Sequence, residues 1–164
     1  MDDVLPAGAD PQNTLIVETT PGRIVIKLRG DIAPKHAERL KLLAREGFYD
    51  DVPFHRVIDG FMAQTGDGEF GNGTGGSEHP DLPAEFSKVP FERGTVGMAR
   101  SSNPNSANSQ FFIMFDEGSF LNGKYTVVGE VVAGMDVVDK LKRGEPPADP
   151  DRIISMKVAA DAGT

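Results

Sequence analysis

The stretch FHRVIDGFMAQ, residues 54–64, decides the fold and the function that we predict for this chain. It sets one cation, Arg56, and one amide, Gln64, among apolar side chains that nearly alternate with polar ones. Such alternation is typical of strands, and residues 54–58 and 61–65 are predicted as two of them. A cation and an amide on an apolar surface suit the binding and polarisation of a neutral peptide.

The rest of the chain also favours strands. Nineteen glycines and twelve prolines indicate many turns, and the segments between them predict about eight strands. A β-hairpin is expected around Thr20-Pro21-Gly22, and two helices are expected, one from Pro34 to Gly47 and one whose apolar stripe is Met135, Val138 and Leu141. The predicted strands cover residues 14–19, 23–28, 54–58, 61–65, 95–99, 111–115, 127–132 and 153–158.

Length and hydrophobic content fit one globular domain. The chain has 164 residues, of which 38% are hydrophobic, enough to bury about two thirds of the unfolded surface. Residues 14–160 are predicted to form the domain, with a flexible lead-in over residues 1–13 and a short tail over residues 161–164. No second domain, repeat or linker is expected.

Charge and composition exclude several classes of function. A net charge of -8 argues against nucleic acid as a partner, because phosphate contacts need clustered Lys and Arg. The absence of cysteine removes thiol catalysis and thiolate metal sites. The acidic start resembles no secretory signal, and no stretch is apolar and long enough to span a bilayer, so we expect a cytoplasmic protein without a membrane partner.

Three other kinds of site are weakly indicated. Residues 66–71 match G-x-G-x-x-G, but the further glycines that follow disfavour the helix that a dinucleotide site requires, so a mobile or turn-rich loop is expected. The three histidines, at positions 36, 55 and 79, lack metal-ligand spacing. No Gly-x-Ser-x-Gly elbow supports a serine hydrolase, and no metal or cofactor is predicted.

Arg56 is the strongest candidate for a functional side chain. Its strand neighbours are apolar, so its guanidinium must find a carbonyl, a carboxylate or a ligand, with an ion pair to Glu69 or Glu85 as the structural alternative. His55 is expected to point away from the face of Arg56 and to be hydrogen-bonded within the fold. If it is buried, Gln64 needs partners for two donors and an acceptor, which a substrate backbone could supply, and a side chain that faces solvent is the alternative.

Two later segments complete a pattern that resembles the cyclophilin family of peptidyl-prolyl isomerases. SQFFI at residues 109–113 and FLNGK at residues 120–124 follow the first stretch in the order that the family has. The resemblance implies a mainly β fold, a closed eight-stranded antiparallel barrel with a helix over each mouth, whereas periodicity alone leaves barrel and sandwich open. It also implies rotation about X-Pro bonds, with Arg56 and Gln64 as catalytic residues.

The resemblance also implies a substrate site. From the sequence alone Phe61, Met62, Phe112 and Leu121 are expected in the core, but in the family the residues at the matching positions form a shallow pocket for the proline ring. The backbone at residues 99–101 pairs there with the residue before proline. Phe120 and Tyr125 stand where many eukaryotic relatives have tryptophan and histidine, and Arg100 stands where they have asparagine, so Arg100 is either a surface residue or a substrate contact. The substrate-binding residues that we assign are Phe61, Met62, Gly73, Ala99, Arg100, Ser101, Gln110, Phe112, Phe120, Leu121 and Tyr125.

The expected partners are proline-containing peptides and unfolded or folding proteins, bound by a monomer. Without the indole N–H, the Phe120 side chain predicts weak binding of cyclosporin. A non-catalytic module that binds proline-containing segments, or a chaperone, is the main alternative, and a hydrolase is a more distant one.

Overall fold

The computed structural model describes residues 10–162, so the first nine residues of the predicted lead-in and the last two of the predicted tail lie outside it. Nine strands form one antiparallel sheet in the order β3-β9-β1-β2-β8-β6-β7-β5-β4. The strands are β1 Thr14–Thr19, β2 Gly22–Leu28, β3 Val52–Pro53, β4 Arg56–Ile58, β5 Met62–Thr65, β6 Thr95–Met98, β7 Phe111–Met114, β8 Val127–Ala133 and β9 Arg152–Val158.

The hairpin prediction is confirmed at the first two strands. Thr19 pairs with Gly22, so Thr20 and Pro21 form a two-residue turn between β1 and β2. The backbone of Gly22 has a φ of 151°, which a side chain at that position would strain. Just before β1, residues Pro11–Asn13 form a single 3-10 turn that Asp10 caps.

The prediction of a closed eight-stranded barrel is wrong in strand number and in closure. The predicted strand at residues 54–58 is shortened to β4, Arg56–Ile58, which pairs with β5, and a separate strand that was not predicted, β3 at Val52–Pro53, precedes it and pairs with β9. The end strands β3 and β4 are joined through Phe54 and His55 and not by a ladder between them within residues 10–162. Pro53 has no N–H, which favours the interruption of the ladder at this point.

Alternation along the strands gives the sheet two different apolar faces. One face carries the main core, which includes Val57, Ala63 and Ile113. The adjacent residues in sequence, among them Met62 and Phe112, belong to a smaller cluster on the other face. Successive side chains of a strand point to opposite faces, so the same strands build the main core and a second apolar surface.

The first predicted helix is confirmed as α1, Pro34–Arg45. Its buried residues Ala37, Leu40 and Leu43 pack into the main core, and Gly47 follows its end with a φ of 72°. The second helix, α2 Met135–Val138, is shorter than its apolar stripe suggested.

The chain after α2 continues in tighter turns, in which the N–H groups of Lys140 and Leu141 donate to the carbonyls three residues before them. The guanidinium of Arg143 donates to the carbonyl oxygens of Asp139 and Leu141, which have no helical partner there. Leu141 is nevertheless buried in the main core. A third helix, α3 Ala159–Ala162, was not predicted and crosses the proposed boundary between domain and tail.

Candidate functional site

Register places the two predicted catalytic residues side by side. Arg56 on β4 lies opposite Gln64 on β5, and Gln64 lies opposite Phe112 on β7. Phe112 lies in turn opposite Gly97 on β6. A row of cross-strand neighbours therefore runs across four strands, on the face that carries the smaller apolar cluster.

A chain of hydrogen bonds fixes the orientation of two side-chain amides, Gln64 in this row and Gln110 next to it. The Nε2 of Gln110 donates to the carbonyl oxygens of Gly73 and Gly75, at 3.0 and 2.9 Å. Carbonyl oxygens accept only, so Oε1 of Gln110 must face Gln64, whose Nε2 donates to it at 2.9 Å. The Oε1 of Gln64 then faces Arg56, with Nη1 of the guanidinium at 3.4 Å.

The structural alternative for Arg56, an ion pair with Glu69 or Glu85, is wrong in its partners. Its Nε donates to Glu145 at 3.2 Å, across a pair whose side chains are 44% and 58% exposed. Glu69 instead accepts from the backbone of Gly76, and Glu85 lies against His36. Because Glu145 is at the surface, the guanidinium is steadied by a solvated carboxylate and is not locked inside the fold.

A hollow of about 140 Å³, here called the apolar hollow, lies beside the guanidinium. Met62, Phe112 and Leu121 are buried in its floor, and Phe61 and Tyr125 are partly exposed around it. The ring of Tyr125 meets Phe112 edge-on with centroids 5.9 Å apart. The residues that line it are Arg56, Phe61, Met62, Gln64, Ala99, Arg100, Phe112, Leu121 and Tyr125.

The floor of the apolar hollow depends on a glycine that sequence reasoning missed. The rings of Phe91 and Phe112 stack with centroids 5.8 Å apart, beside Gly97. A methyl group on Gly97 would come within 2.6 Å of both rings. The signal for it was a glycine inside an apolar strand, which marks a close approach of neighbouring groups.

A second, larger hollow of about 470 Å³, here called the polar cleft, adjoins the first. Gln64, Ala99 and Arg100 line both, so they form the boundary between them. Gly73, Ser101 and Gln110 line the polar cleft alone. The predicted site residues are thus brought together, but in two compartments.

Phe120 lies outside the residues that line either hollow. Its side chain is 63% exposed, and its ring contacts Phe61 with centroids 5.5 Å apart. It follows that Phe120 stands at the rim of the apolar hollow, where a bound molecule larger than a proline ring would reach it.

The backbone at residues 99–101 is partly used within the protein. The N–H of Ala99 donates to the carbonyl of Gln110 at 3.0 Å, continuing the sheet. The N–H of Ser101 donates to Oγ of Ser106 at 2.9 Å. A substrate would have to pair with the remaining backbone groups of this segment.

One buried carboxylate organises the glycine-rich loop. Asp67 accepts from the backbone N–H groups of five residues: Glu69, Phe70, Asn72, Gly73 and Gly75. Burial alone would raise the pKa of Asp67, but these backbone donors outweigh it and lower the pKa to about 2. The loop opens no helix, as predicted, and Asp67 was the missed residue that sets its shape.

His55 lies beneath this loop and not in the site. It is 6% exposed, whereas its neighbour Arg56 is half exposed, which agrees with the prediction that the two side chains point different ways, although His55 lies just before β4 and not in a strand. Among residues 10–162 neither ring nitrogen has a hydrogen-bond partner, so the expected internal hydrogen bond is wrong. Burial lowers the pKa of His55, which keeps the ring neutral.

Comparison with known proteins identifies the family. Residues 14–158 match the family described as cyclophilin type peptidyl-prolyl cis-trans isomerase/CLD. A probable peptidyl-prolyl cis-trans isomerase of Brucella suis is 60% identical, with 94% of this chain and 87% of the relative covered. Peptidyl-prolyl cis-trans isomerase B of Escherichia coli is 42% identical, with 76% and 80% covered.

Solved structures agree with this result. The cyclophilin AquaCyp293 from Hirschia baltica has a TM-score of 0.87 at 32% identity, covering 93% of this chain and 76% of that one. A cyclophilin-type isomerase from Cryptosporidium parvum, solved in the presence of the dipeptide Ala-Pro, has a TM-score of 0.82 at 27% identity, covering 88% and 98%. The chain belongs to the cyclophilin-type peptidyl-prolyl cis-trans isomerases and is an enzyme of that activity.

Within residues 10–162, the helices are too short or too polar to cross a membrane.

Proposed function

We propose that this isomerase accelerates rotation about X-Pro bonds through the guanidinium of Arg56, with the apolar hollow holding the proline ring. The observation that supports this best is the position of Arg56, the side chain whose guanidinium borders the apolar hollow and also contacts Gln64. Its side chain is 44% exposed, so the guanidinium is accessible to a bound peptide.

The chemistry needs no nucleophile, because the barrier to rotation is electronic. Twisting an amide breaks its resonance and costs about 18–20 kcal/mol, so an X-Pro bond exchanges over tens to hundreds of seconds unaided. In the twisted state the proline nitrogen regains its lone pair and becomes a better hydrogen-bond acceptor. A donor aimed at that nitrogen, or at the neighbouring proline carbonyl, binds the twisted form more tightly than either planar isomer.

Arg56 has the donors for this task. Its contacts within the protein use Nε, toward Glu145, and Nη1, toward Gln64. A guanidinium carries five N–H groups, so donors remain for a substrate. One charged hydrogen bond contributes about 1.5–3 kcal/mol, which corresponds to about ten- to a hundred-fold in rate.

Positioning would supply the rest of the acceleration. The proline ring would lie in the apolar hollow, among Phe61, Met62, Phe112 and Leu121. Gln64 and the backbone of residues 99–101 would hold the residue before the proline. Only one side of the X-Pro bond is then free to rotate. Gln110, bound to the loop carbonyls, keeps Gln64 in place. Tyr125 and Gly73 complete the walls of the two hollows.

The proposal extends to the clients, the cellular location and the oligomeric state of the enzyme. Clients are proposed to be proline-containing segments of unfolded or folding proteins, met in the cytoplasm by a monomer whose residues 14–160 form one domain. Cyclosporin is proposed to bind weakly, and neither cofactor nor nucleic acid takes part.

Exchange NMR on a proline peptide tests the mechanism, because it reports binding and turnover together. Arg56→Ala is expected to lower the exchange rate by at least about ten- to a hundred-fold while peptide binding and the folded spectrum persist. Arg56→Lys is also expected to be impaired, because an ammonium cannot reproduce the planar fork.

Arg29→Ala is the matched control. Arg29 also pairs with an exposed carboxylate, Asp31, and lines neither hollow. Near-normal exchange in folded Arg56→Ala would remove Arg56 from the mechanism. Peptide binding by the unsubstituted protein without any exchange would instead support the non-catalytic binding module.

A further inference from the structure

The arginines of this chain differ in the groups that their guanidinium groups contact, which are carboxylates or carbonyl oxygens. The sequence has nine, and within residues 10–162 seven of them pair with a carboxylate. Arg39 and Arg100 contact carbonyl oxygens instead. Arg39 is 7% exposed and is part of the interior, whereas Arg100 lines both hollows of the site.

An arginine without a carboxylate is unexpected in so acidic a protein. The chain has 25 acidic residues against 17 basic ones, so carboxylates are plentiful on its surface. The only cations that line the apolar hollow are Arg56 and Arg100, and no acidic side chain of residues 10–162 lines it. Since Glu145 already faces Arg56, Arg100 is the cation there whose charge is left uncompensated.

The guanidinium of Arg100 is also held in a fixed position. Its Nε and Nη2 both donate to the carbonyl of Lys124, at 3.1 and 2.7 Å, and Nη1 donates to the carbonyl of Ser101. Its plane lies over the ring of Tyr125, with the guanidinium carbon 4.3 Å from the centroid. A cation held in this way loses little side-chain entropy when it binds a carboxylate.

We propose that Arg100 is a specificity-determining residue, which makes this isomerase prefer substrates with an acidic residue immediately before the proline. The inference rests on the proposed function, in which that residue leaves the apolar hollow along residues 99–101 and so passes Arg100. The three hydrogen bonds within the protein use three of the five guanidinium N–H groups, which leaves donors for a substrate carboxylate.

A matched set of peptides tests this preference. Peptides identical except for Glu, Gln or Lys before the proline are compared by kcat/KM. The expected Glu/Gln ratio is about fivefold in the unsubstituted protein, the upper range for a partly exposed ion pair, with Lys-Pro the poorest substrate. The ratio is expected to fall towards one at high salt, because exposed charges are screened.

Arg100→Gln removes the charge and should bring the Glu/Gln ratio to about one, whereas Arg100→Lys should keep part of the preference. Arg152→Gln makes the same change in net charge at a residue that pairs with Asp51 and lines neither hollow, and the ratio should not change. If Arg100→Gln does not fold, Arg100→Lys and the salt dependence decide.

The outcomes separate the two proposals. Exchange of all three peptides at equal rates would overturn the role of Arg100 and leave the isomerase mechanism intact. An unchanged Glu/Gln ratio in folded Arg100→Gln would do the same. No acceleration of any peptide would overturn the mechanism itself.

Discussion

The guanidinium of Arg56 and the carboxylate of Glu145 form an ion pair of 3.2 Å between residues 89 positions apart in sequence. Both side chains are about half exposed, so water and salt screen the attraction. The ion pair orients the guanidinium. The negative charge of Glu145 also offsets part of the positive potential that would stabilise the twisted peptide in the proposed mechanism.

Replacement of Glu145 by glutamine separates these two effects. Glu145→Gln keeps an acceptor for Nε and removes the negative charge, so kcat/KM for a neutral Ala-Pro peptide is expected to rise by about one and a half- to fivefold. Glu145→Ala removes the acceptor too and is expected to give a smaller gain or a loss. A drop with Glu145→Gln as large as that of Arg56→Ala would show that the carboxylate is required.

Replacement of Gly97 should damage the floor of the apolar hollow. In Gly97→Ala the new methyl group meets the stacked rings of Phe91 and Phe112 at 2.6 Å, so one ring must move. Overpacking of this kind costs about 1–3 kcal/mol, and KM for proline peptides is expected to rise. Urea unfolding and steady-state kinetics measure the two effects.

Gly30→Ala is the control for that experiment, because the nearest atom to its new methyl would be 3.9 Å away. Gly97→Ala with unchanged stability and unchanged KM would mean that the two rings are not held as tightly as their stacking indicates.

Asp67 is expected to make the free energy of unfolding depend on pH in the acidic range. The pKa of its carboxyl is about 2 in the folded protein and about 3.8 as a free group, so its contribution is complete above pH 5 and is lost as the pH falls from about 4 to 2. At about 1.4 kcal/mol per pKa unit, that contribution is about 2 kcal/mol. Unfolding free energies of the unsubstituted protein and of Asp67→Asn should therefore converge as the pH falls through this range.

Asp149→Asn is the matched control, since that carboxylate is 92% exposed. It should follow the unsubstituted protein at every pH. Parallel curves for Asp67→Asn and the unsubstituted protein between pH 5 and 2 would contradict the proposed role of the five backbone donors.

Phe120 is expected to determine how strongly cyclosporin inhibits the protein. The exposed phenyl ring at the rim has no N–H, and Phe120→Trp would add one at a point that a large ligand can reach. Inhibition by cyclosporin is expected to strengthen by about fivefold, the value of one net hydrogen bond of about 1 kcal/mol. Phe120→Leu serves as the control without an indole, and equal inhibition of all three proteins would exclude this explanation.

Strand positions were largely predictable, and closure of the sheet was not. The alternation along residues 14–19 and the short apolar run at residues 111–115 are local properties, which the sequence displays directly. Whether residues 52–58 form one strand or two depends on which neighbours the chain meets, β9 on one side and β5 on the other. Helix α3 has four residues, too few for a periodic pattern.

The same distinction holds at the site. Arg56, Gln64 and Phe112 carry strong local signals, and the register brings them together as neighbours. Glu145 gives no such signal, because its relation to Arg56 exists only after the chain has folded. Asp67 could have been suspected from its place among glycines, since a carboxylate with many free backbone donors nearby tends to bind them.

The two-faced construction of β4, β5 and β7 has a consequence for how such enzymes diverge. The residues that we propose to recognise a ligand occupy every second position, and the residues of the main core occupy the positions between them. Substitutions among the first set of residues can therefore change substrate selectivity during evolution, while the main-core residues keep the folding free energy nearly constant. An insertion of a single residue in these strands would interchange the two sets and abolish recognition and folding in one event.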